Sequence, residues 1–141
     1  RQALRQIGVE VTIESTDAGG WVRRLGAWEY ELTVNFVYQY GDPTLGVSRT
    51  YISSNIQKVP FANTSGYSNP KVDALIDQAA SSDDTAARKA LYREIRGLVT
   101  ADAPIVFAHY ETLNYLMNTN VTGSEITPTL SLHMEKIGFT E

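Results

Sequence analysis

The sequence predicts an α/β domain, and three observations carry that prediction. A helix end closes on Gly8 and feeds an alternating segment, a long period-two stretch spans Tyr30 to Tyr38, and two helical stretches lead into an apolar run at Ile105. Arg1 to Ile7 reads as the last turns of a helix, with Leu4 and Ile7 on one face and Gly8 as the left-handed stop. Val9 to Glu14 then alternates strictly, with Val9, Val11 and Ile13 against Glu10, Thr12 and Glu14. That is the pattern of a half-buried strand.

Ser15-Thr16-Asp17 offers capping side chains to a helix that would bury Trp21, Val22 and Leu25. Gly19 and Gly20 each cost it about 1 kcal/mol relative to alanine, so it is expected to be short or irregular and to end at Gly26. In Tyr30 to Tyr38, the longest alternating stretch, Tyr30, Leu32, Val34, Phe36 and Tyr38 share a face. Pro43 to Gly66 spaces its apolar residues irregularly and is expected to be a long ordered loop.

Regular structure restarts at Ser68-Asn69-Pro70, a capping residue followed by proline at the first helical position. Val72, Leu75, Ile76 and Ala79 then recur at i, i+3, i+4 and i+7. Asp83-Asp84 places negative charge at the start of a second, longer helix whose core face is Ala87, Leu91, Ile95, Leu98 and Val99. Pro104 closes it and turns Ala103 away from helix. Ile105 to Tyr110 is an apolar run suited to a strand covered on both faces, and Leu113 to Met117 suggests another. Asn120 to Gly123 is a turn, and Leu130 to Phe139 forms a weak closing segment.

Composition removes several function classes. Hydrophobic residues make up 43% and charged residues 20% of 141 residues, as in one globular domain. A net charge of −4 argues against a nucleic-acid partner. The densest basic spot, Arg88-Lys89 with Arg93 and Arg96, is expected to spread around a helix. With no cysteine, disulfides and thiolate chemistry are absent. The only imidazoles, His109 and His133, lack metal-site spacing, so no metal and no cofactor is expected. No nucleophile elbow or phosphate-binding glycine loop occurs, and catalysis finds no support. Asn63-Thr64-Ser65 and Asn120-Val121-Thr122 match the glycosylation sequon. No apolar run approaches the roughly 18 residues of a membrane span. The opening at Arg1, inside a helix and without Met, reads as a piece of something longer.

One stretch concentrates groups suited to a ligand: Asn35 to Gly46, NFVYQYGDPTLG. Phe36, Tyr38 and Tyr40 offer large, rigid contact areas, and the Gln39 amide both donates and accepts hydrogen bonds. Gly41 allows a close approach to the backbone. Asp42 is a candidate carboxylate, though its position in a Gly-Asp-Pro turn favours bonding to the turn backbone. Aromatic strand residues are also ordinary core residues, so this pattern alone leaves binding and packing open.

Taken together, several segments resemble the C-terminal lobe of the family 5 extracellular solute-binding proteins, the peptide- and nickel-binding receptors of bacterial ABC importers. They are IGVEVTIE, YELTVNFVYQYGDPT, NTSGYSNPKVDALIDQA, the R-x-x-LY-x-x-I pattern from Arg88 to Ile95, DAPIVF from Asp102 and NVTG from Asn120. The Gly66-Tyr67-Ser68-Asn69-Pro70 segment with Val72-Asp73 and Leu75-Ile76 is the most distinctive. The resemblance implies a type II periplasmic-binding-protein-like fold with a central mixed sheet and flanking helices. Residues 1–141 would then be one incomplete domain, with the final segment returning toward the first lobe.

It further implies a periplasmic receptor that closes on a peptide-like solute and docks on a membrane permease, with Phe36, Tyr38, Gln39, Tyr40, Gly41 and Asp42 at the site. In peptide-binding members a W-x-x-D motif precedes the Gly-Asp-Pro turn, and its Asp pairs with the ligand ammonium. Here Phe36 stands at the Trp position and Gln39 at the Asp position, so that charge is gone. The rival reading is a stand-alone interaction or dimerisation domain whose aromatic strand end and long loop form a protein–protein surface. In the receptor reading, an apolar face left open by the missing part of the lobe would favour self-association of the fragment too.

Overall fold

The Ser68-Asn69-Pro70 signal is carried out in full. In a computed structural model of the chain, which describes residues 1–37, 40–46, 48–108, 116–125 and 134–140, a helix runs over Pro70–Ala80. It is the fifth in chain order, α5. The Asn69 side chain accepts from the Lys71 and Val72 N–H groups, and Pro70 occupies the first turn, where no N–H is missed. Val72, Leu75, Ile76 and Ala79, the predicted stripe, are buried. The following helix, α6, spans Thr85–Asp102 and starts on Asp84, whose carboxylate accepts from the Ala86 and Ala87 N–H groups.

These two helices make the core. Ile95 and Val99 of α6 pack with Val72, Leu75 and Ile76 of α5, and Tyr51 and Tyr67 seal the cluster edge to face at 6.1 Å. Ala87, expected on the core face, is exposed. At that turn Arg88 reaches α5 instead, its Nε donating to the Ala79 carbonyl at 3.1 Å. Ala103 ends α6 at φ 46°, outside right-handed helix as the following Pro104 requires.

Earlier in the chain, α1 (Gln2–Gln6) stops before Gly8 at φ +82°. The next helix, α2 (Ala18–Ala27), begins on Asp17, which accepts from the Gly20 N–H at 2.7 Å. It does not end at Gly26 as expected. Trp28 takes the left-handed position, while Gly26 serves close packing: a Cβ there would lie 3.2 Å from Pro60 Cδ.

The segment from Pro43 to Gly66, expected as loop, contains two helical turns, α3 (Pro43–Gly46) and α4 (Ser48–Tyr51), and a 3-10 turn at Ser53–Asn55. The reason is local: Asp42 caps the Thr44 N–H at 2.8 Å, and Pro43 holds a helical φ. The rest of the segment is organised by Asn63, which is fully buried. Its amide nitrogen donates to the carbonyls of Ile52 (3.1 Å) and Tyr67 (2.7 Å), and its oxygen accepts from the Tyr67 N–H and the Ser65 hydroxyl. A glycan has no access to this amide, so the first sequon is structural.

The strand expectations need correcting. Among the described residues the sheet is a single antiparallel pair, β1 (Val121–Thr122) with β2 (Gly138–Phe139), in register Val121 to Phe139. The expected central mixed sheet is not formed there. Val9 to Glu14, Tyr30 to Val37 and Ile105 to Ala108 carry no strand, and Ile13, Leu32, Val34, Val106 and Phe107 are exposed. Alternation encodes one apolar face, but a strand forms only where a second backbone exchanges hydrogen bonds with it. The described residues supply no such partner. His109, His133 and most of the suggested strand at Leu113 lie outside the described residues.

Candidate functional site

Phe36 is drawn into an aromatic cluster by residues far away in sequence. It stacks on Trp21 at 5.8 Å with an 18° interplanar angle, and Phe61 tilts against both rings at 5.8 and 5.5 Å. Hydrogen bonds hold this segment in place. The Trp21 indole N–H donates to Thr33 Oγ1 at 3.2 Å, and the Tyr30 hydroxyl donates to the Thr64 carbonyl at 2.7 Å. Even so, Phe36 remains half exposed, at 50%. With Tyr40, Arg49 and Phe61 it lines a pocket of about 200 Å³. Thus Phe36 and Tyr40 are brought together, while Tyr38 and Gln39 lie outside the described residues.

Gly41 then reverses the chain. It sits at φ +75°, and the Asp42 N–H donates back to the Tyr40 carbonyl at 2.8 Å, closing a three-residue turn of the hand that glycine tolerates. The Asp42 carboxylate is engaged on every side. It accepts from the Thr44 N–H and receives Arg88 Nη2 at 2.9 Å on each oxygen. Arg88 also donates to Thr44 Oγ1 at 3.2 Å, and that hydroxyl shares a 2.9 Å hydrogen bond with Tyr92. Asp42 therefore bonds the turn backbone, as its place in Gly-Asp-Pro suggested, and in addition ties the turn to α6 through Arg88.

Hydrogen bonding from Arg88, then from the Thr44 backbone, holds the Asp42 carboxyl below its usual range. Asp102 is lowered likewise by the Tyr67 hydroxyl (2.6 Å) and the Asn69 amide (2.9 Å), which tie the end of α6 to the start of α5. Burial, followed by the hydrogen bond to Asp102, pushes the Tyr67 phenol from 10.0 up to about 12. Stabilisation from the two lowered carboxyls is present above their ordinary value of 3.8 and is lost as pH falls below it. That from Tyr67 is present below pH 10 and is lost as pH rises toward about 12. The melting temperature, followed by circular dichroism, is expected to be level between these limits and to fall beyond each. Burial raises the Tyr30 and Tyr51 phenols too, so Tyr67→Phe is expected to reduce the alkaline fall; an unchanged fall in that variant would assign it to those other groups.

A second cleft, of about 560 Å³, lies between the Gly41–Pro43 turn and α6 and is lined by Arg88, Lys89, Tyr92, Arg93 and Arg96. The sequence suggested that these cations spread around the helix; the fold brings all four to one cleft. Sequence reasoning also missed Arg49 and Phe61. Both fall in the stretch taken as loop, and no local pattern links position 61 to position 36. Among the described residues, no group of three or more His, Cys, Asp or Glu side chains is placed to hold a metal ion. No helix among them is long and apolar enough to cross a membrane.

No family model matches the chain. Individual proteins do. The glutathione-binding protein GsiB of Pectobacterium atrosepticum is 29% identical over 147 aligned positions, covering all of this chain and 28% of that protein. GsiB of Salmonella typhimurium is 29% identical over 91% of this chain and 26% of its own length. The probable D,D-dipeptide-binding periplasmic protein DdpA of Escherichia coli is 25% identical over 92% of this chain and 25% of its own length. The chain thus spans about a quarter of the length of the curated relatives it matches. The resemblance read in the sequence is to this group of binding proteins.

Proposed function

We propose that this chain, whose relatives are the family 5 extracellular solute-binding proteins, forms much of the C-terminal lobe of a two-lobed receptor. The receptor captures a peptide or peptide-like solute outside the cytoplasm and delivers it to an ABC permease. One observation carries the reading: the chain aligns along nearly its whole length with proteins named for binding glutathione and D,D-dipeptides, both peptide-like. The exposed alternating segments fit it as well. Ile13, Leu32, Val34 and Val106 are apolar faces suited to a sheet that the rest of such a lobe completes. In this reading residues 1–141 are a single incomplete domain, and the segment from Val121 returns toward the first lobe.

Capture and closure make up the mechanism; no bond is made or broken. Phe36 and Tyr40 present aromatic faces to the solute, and Gly41 lets solute approach the backbone. Tyr38 and Gln39, between them in sequence, complete the stretch. Asp42 acts through the turn it holds, since both of its oxygens are engaged by Arg88. An extended solute can add main-chain hydrogen bonds that tolerate many side chains.

The test is calorimetric titration of the two-lobed polypeptide with glutathione, D-alanyl-D-alanine and L-tripeptides. Saturable one-to-one binding of at least one of them is expected, and much weaker binding by the 141-residue chain alone, which lacks the opposite wall. Absence of heat with every probe sinks the reading. In the same protein, Gln39→Asp is expected to favour free-amine peptides over N-acetylated ones, because it restores an anion at the ammonium position. An unchanged preference removes Gln39 from the site.

A further inference from the structure

Two arginines meet the Asn35 to Gly46 stretch, Arg88 at Asp42 and Arg49 in the pocket with Phe36 and Tyr40, and they are used differently. Arg88 is engaged through Nε and Nη2, with acceptors on Ala79, Asp42 and Thr44. Arg49 is not. It belongs to α4, between buried Ser48 and Thr50, and its Nε is shielded from solvent without a hydrogen-bond partner. Among the described residues its side chain forms no ion pair either. Native structures seldom bury an N–H without an acceptor, because desolvating the group is costly when nothing replaces water. Among the described residues nothing supplies an acceptor for this N–H, which leaves the guanidinium suited to one from outside them.

The surroundings of Arg49 specify the chemistry. Phe36, Tyr40 and Phe61 complete the lining of its pocket, which at about 200 Å³ is smaller than the roughly 300–1,000 Å³ of whole ligand sites. It has room for one group of a solute rather than all of it. A guanidinium is a planar fork that matches a carboxylate, and aromatic faces cover apolar carbon. We propose that Arg49 with Phe36, Tyr40 and Phe61 forms a carboxylate-recognising subsite, taking a free acid group carried beside an apolar or aromatic side chain. The proposal rests on the reading of Asn35 to Gly46 as the binding stretch. It also gives the Gln39 departure a physical sense: a cation in the pocket repels an ammonium, and recognition passes from the amine of the solute to its acid.

Nuclear magnetic resonance of the labelled 141-residue chain tests this, following the Arg49 Nε–H signal during titration with N-acetylphenylalanine and with its neutral amide. The acid is expected to shift the signal saturably, with an apparent Kd about tenfold below that of the amide. Both ligands are also followed through the backbone amides of Phe36, Tyr40 and Phe61, where Arg49→Gln is expected to abolish the difference and Arg49→Lys to retain part of it. Equal responses to acid and amide, no response to either, or a preference that survives in Arg49→Gln would each overturn the subsite. The wild-type comparison stands even if a variant fails to fold. A two-lobed protein that binds no peptide would sink the receptor reading while leaving this acid preference measurable. A receptor that binds peptides without the preference would sink only the subsite.

Discussion

Asn63→Ala is expected to destabilise the chain by at least about 2 kcal/mol, since it strips two buried backbone groups, at about 1–3 kcal/mol each, and one partly buried group of their partner. Those groups are the carbonyls of Ile52 and Tyr67 and the Tyr67 N–H, and Asn63 itself has no exposed surface. With a urea slope of roughly 1–3 kcal/mol per molar, the unfolding midpoint should fall by about 1 M or more. The consequence reaches the pocket, because the same loop carries Phe61 and the Thr64 carbonyl that receives Tyr30. Asn63→Asp is the sharper comparison. It keeps the size and the acceptor for Tyr67 but lacks the donors for the two carbonyls and buries a charge. Wild-type stability in Asn63→Asp would show that the amide donors do not hold this loop.

Ile95→Ala should cost about 2–5 kcal/mol, the range for removing a fully buried branched side chain and leaving a cavity. Ile95 is 2% exposed and packs from α6 into the cluster formed by Val72, Leu75 and Ile76 of α5. Leu91→Ala, one turn earlier and only partly buried, should cost distinctly less. Equal losses at the two positions, read from urea midpoints, would mean that the helix pair is not the centre of the described core. The Asp42–Arg88 contact adds to the case for α6 as the organiser. The helix that builds the core also holds the turn beneath Tyr40, so loosening it should disturb the pocket as well as the fold.

The two long helices were legible because their signals are short in range. Asn69 and Asp84 bond N–H groups two and three residues away, and each apolar stripe repeats within one turn. Any stretch of chain carries that information with it. The strands were less legible. Val9 to Glu14 and Tyr30 to Val37 alternate as strands do, yet the partner backbone that turns alternation into a sheet is a long-range matter. The same limit hid the short helical turns after Pro43 behind irregular spacing, although the Asp42 cap that starts the first of them is local and was open to reading.

By itself, then, the sequence determined where α5 and α6 begin and end, that Gly41-Asp42-Pro43 reverses the chain, and that Phe36 and Tyr40 stand before that turn. It also determined the absence of cysteine chemistry and the likeness to solute-binding proteins. Only the tertiary structure decided that Phe61 and Trp21 join Phe36, that Arg88 is consumed in holding Asp42, and that Arg49 is left with a buried N–H and no acceptor among the described residues. The physical reason is one of range. Caps, turns and helical stripes act over a few residues, whereas a pocket is made by side chains that meet only when distant segments pack.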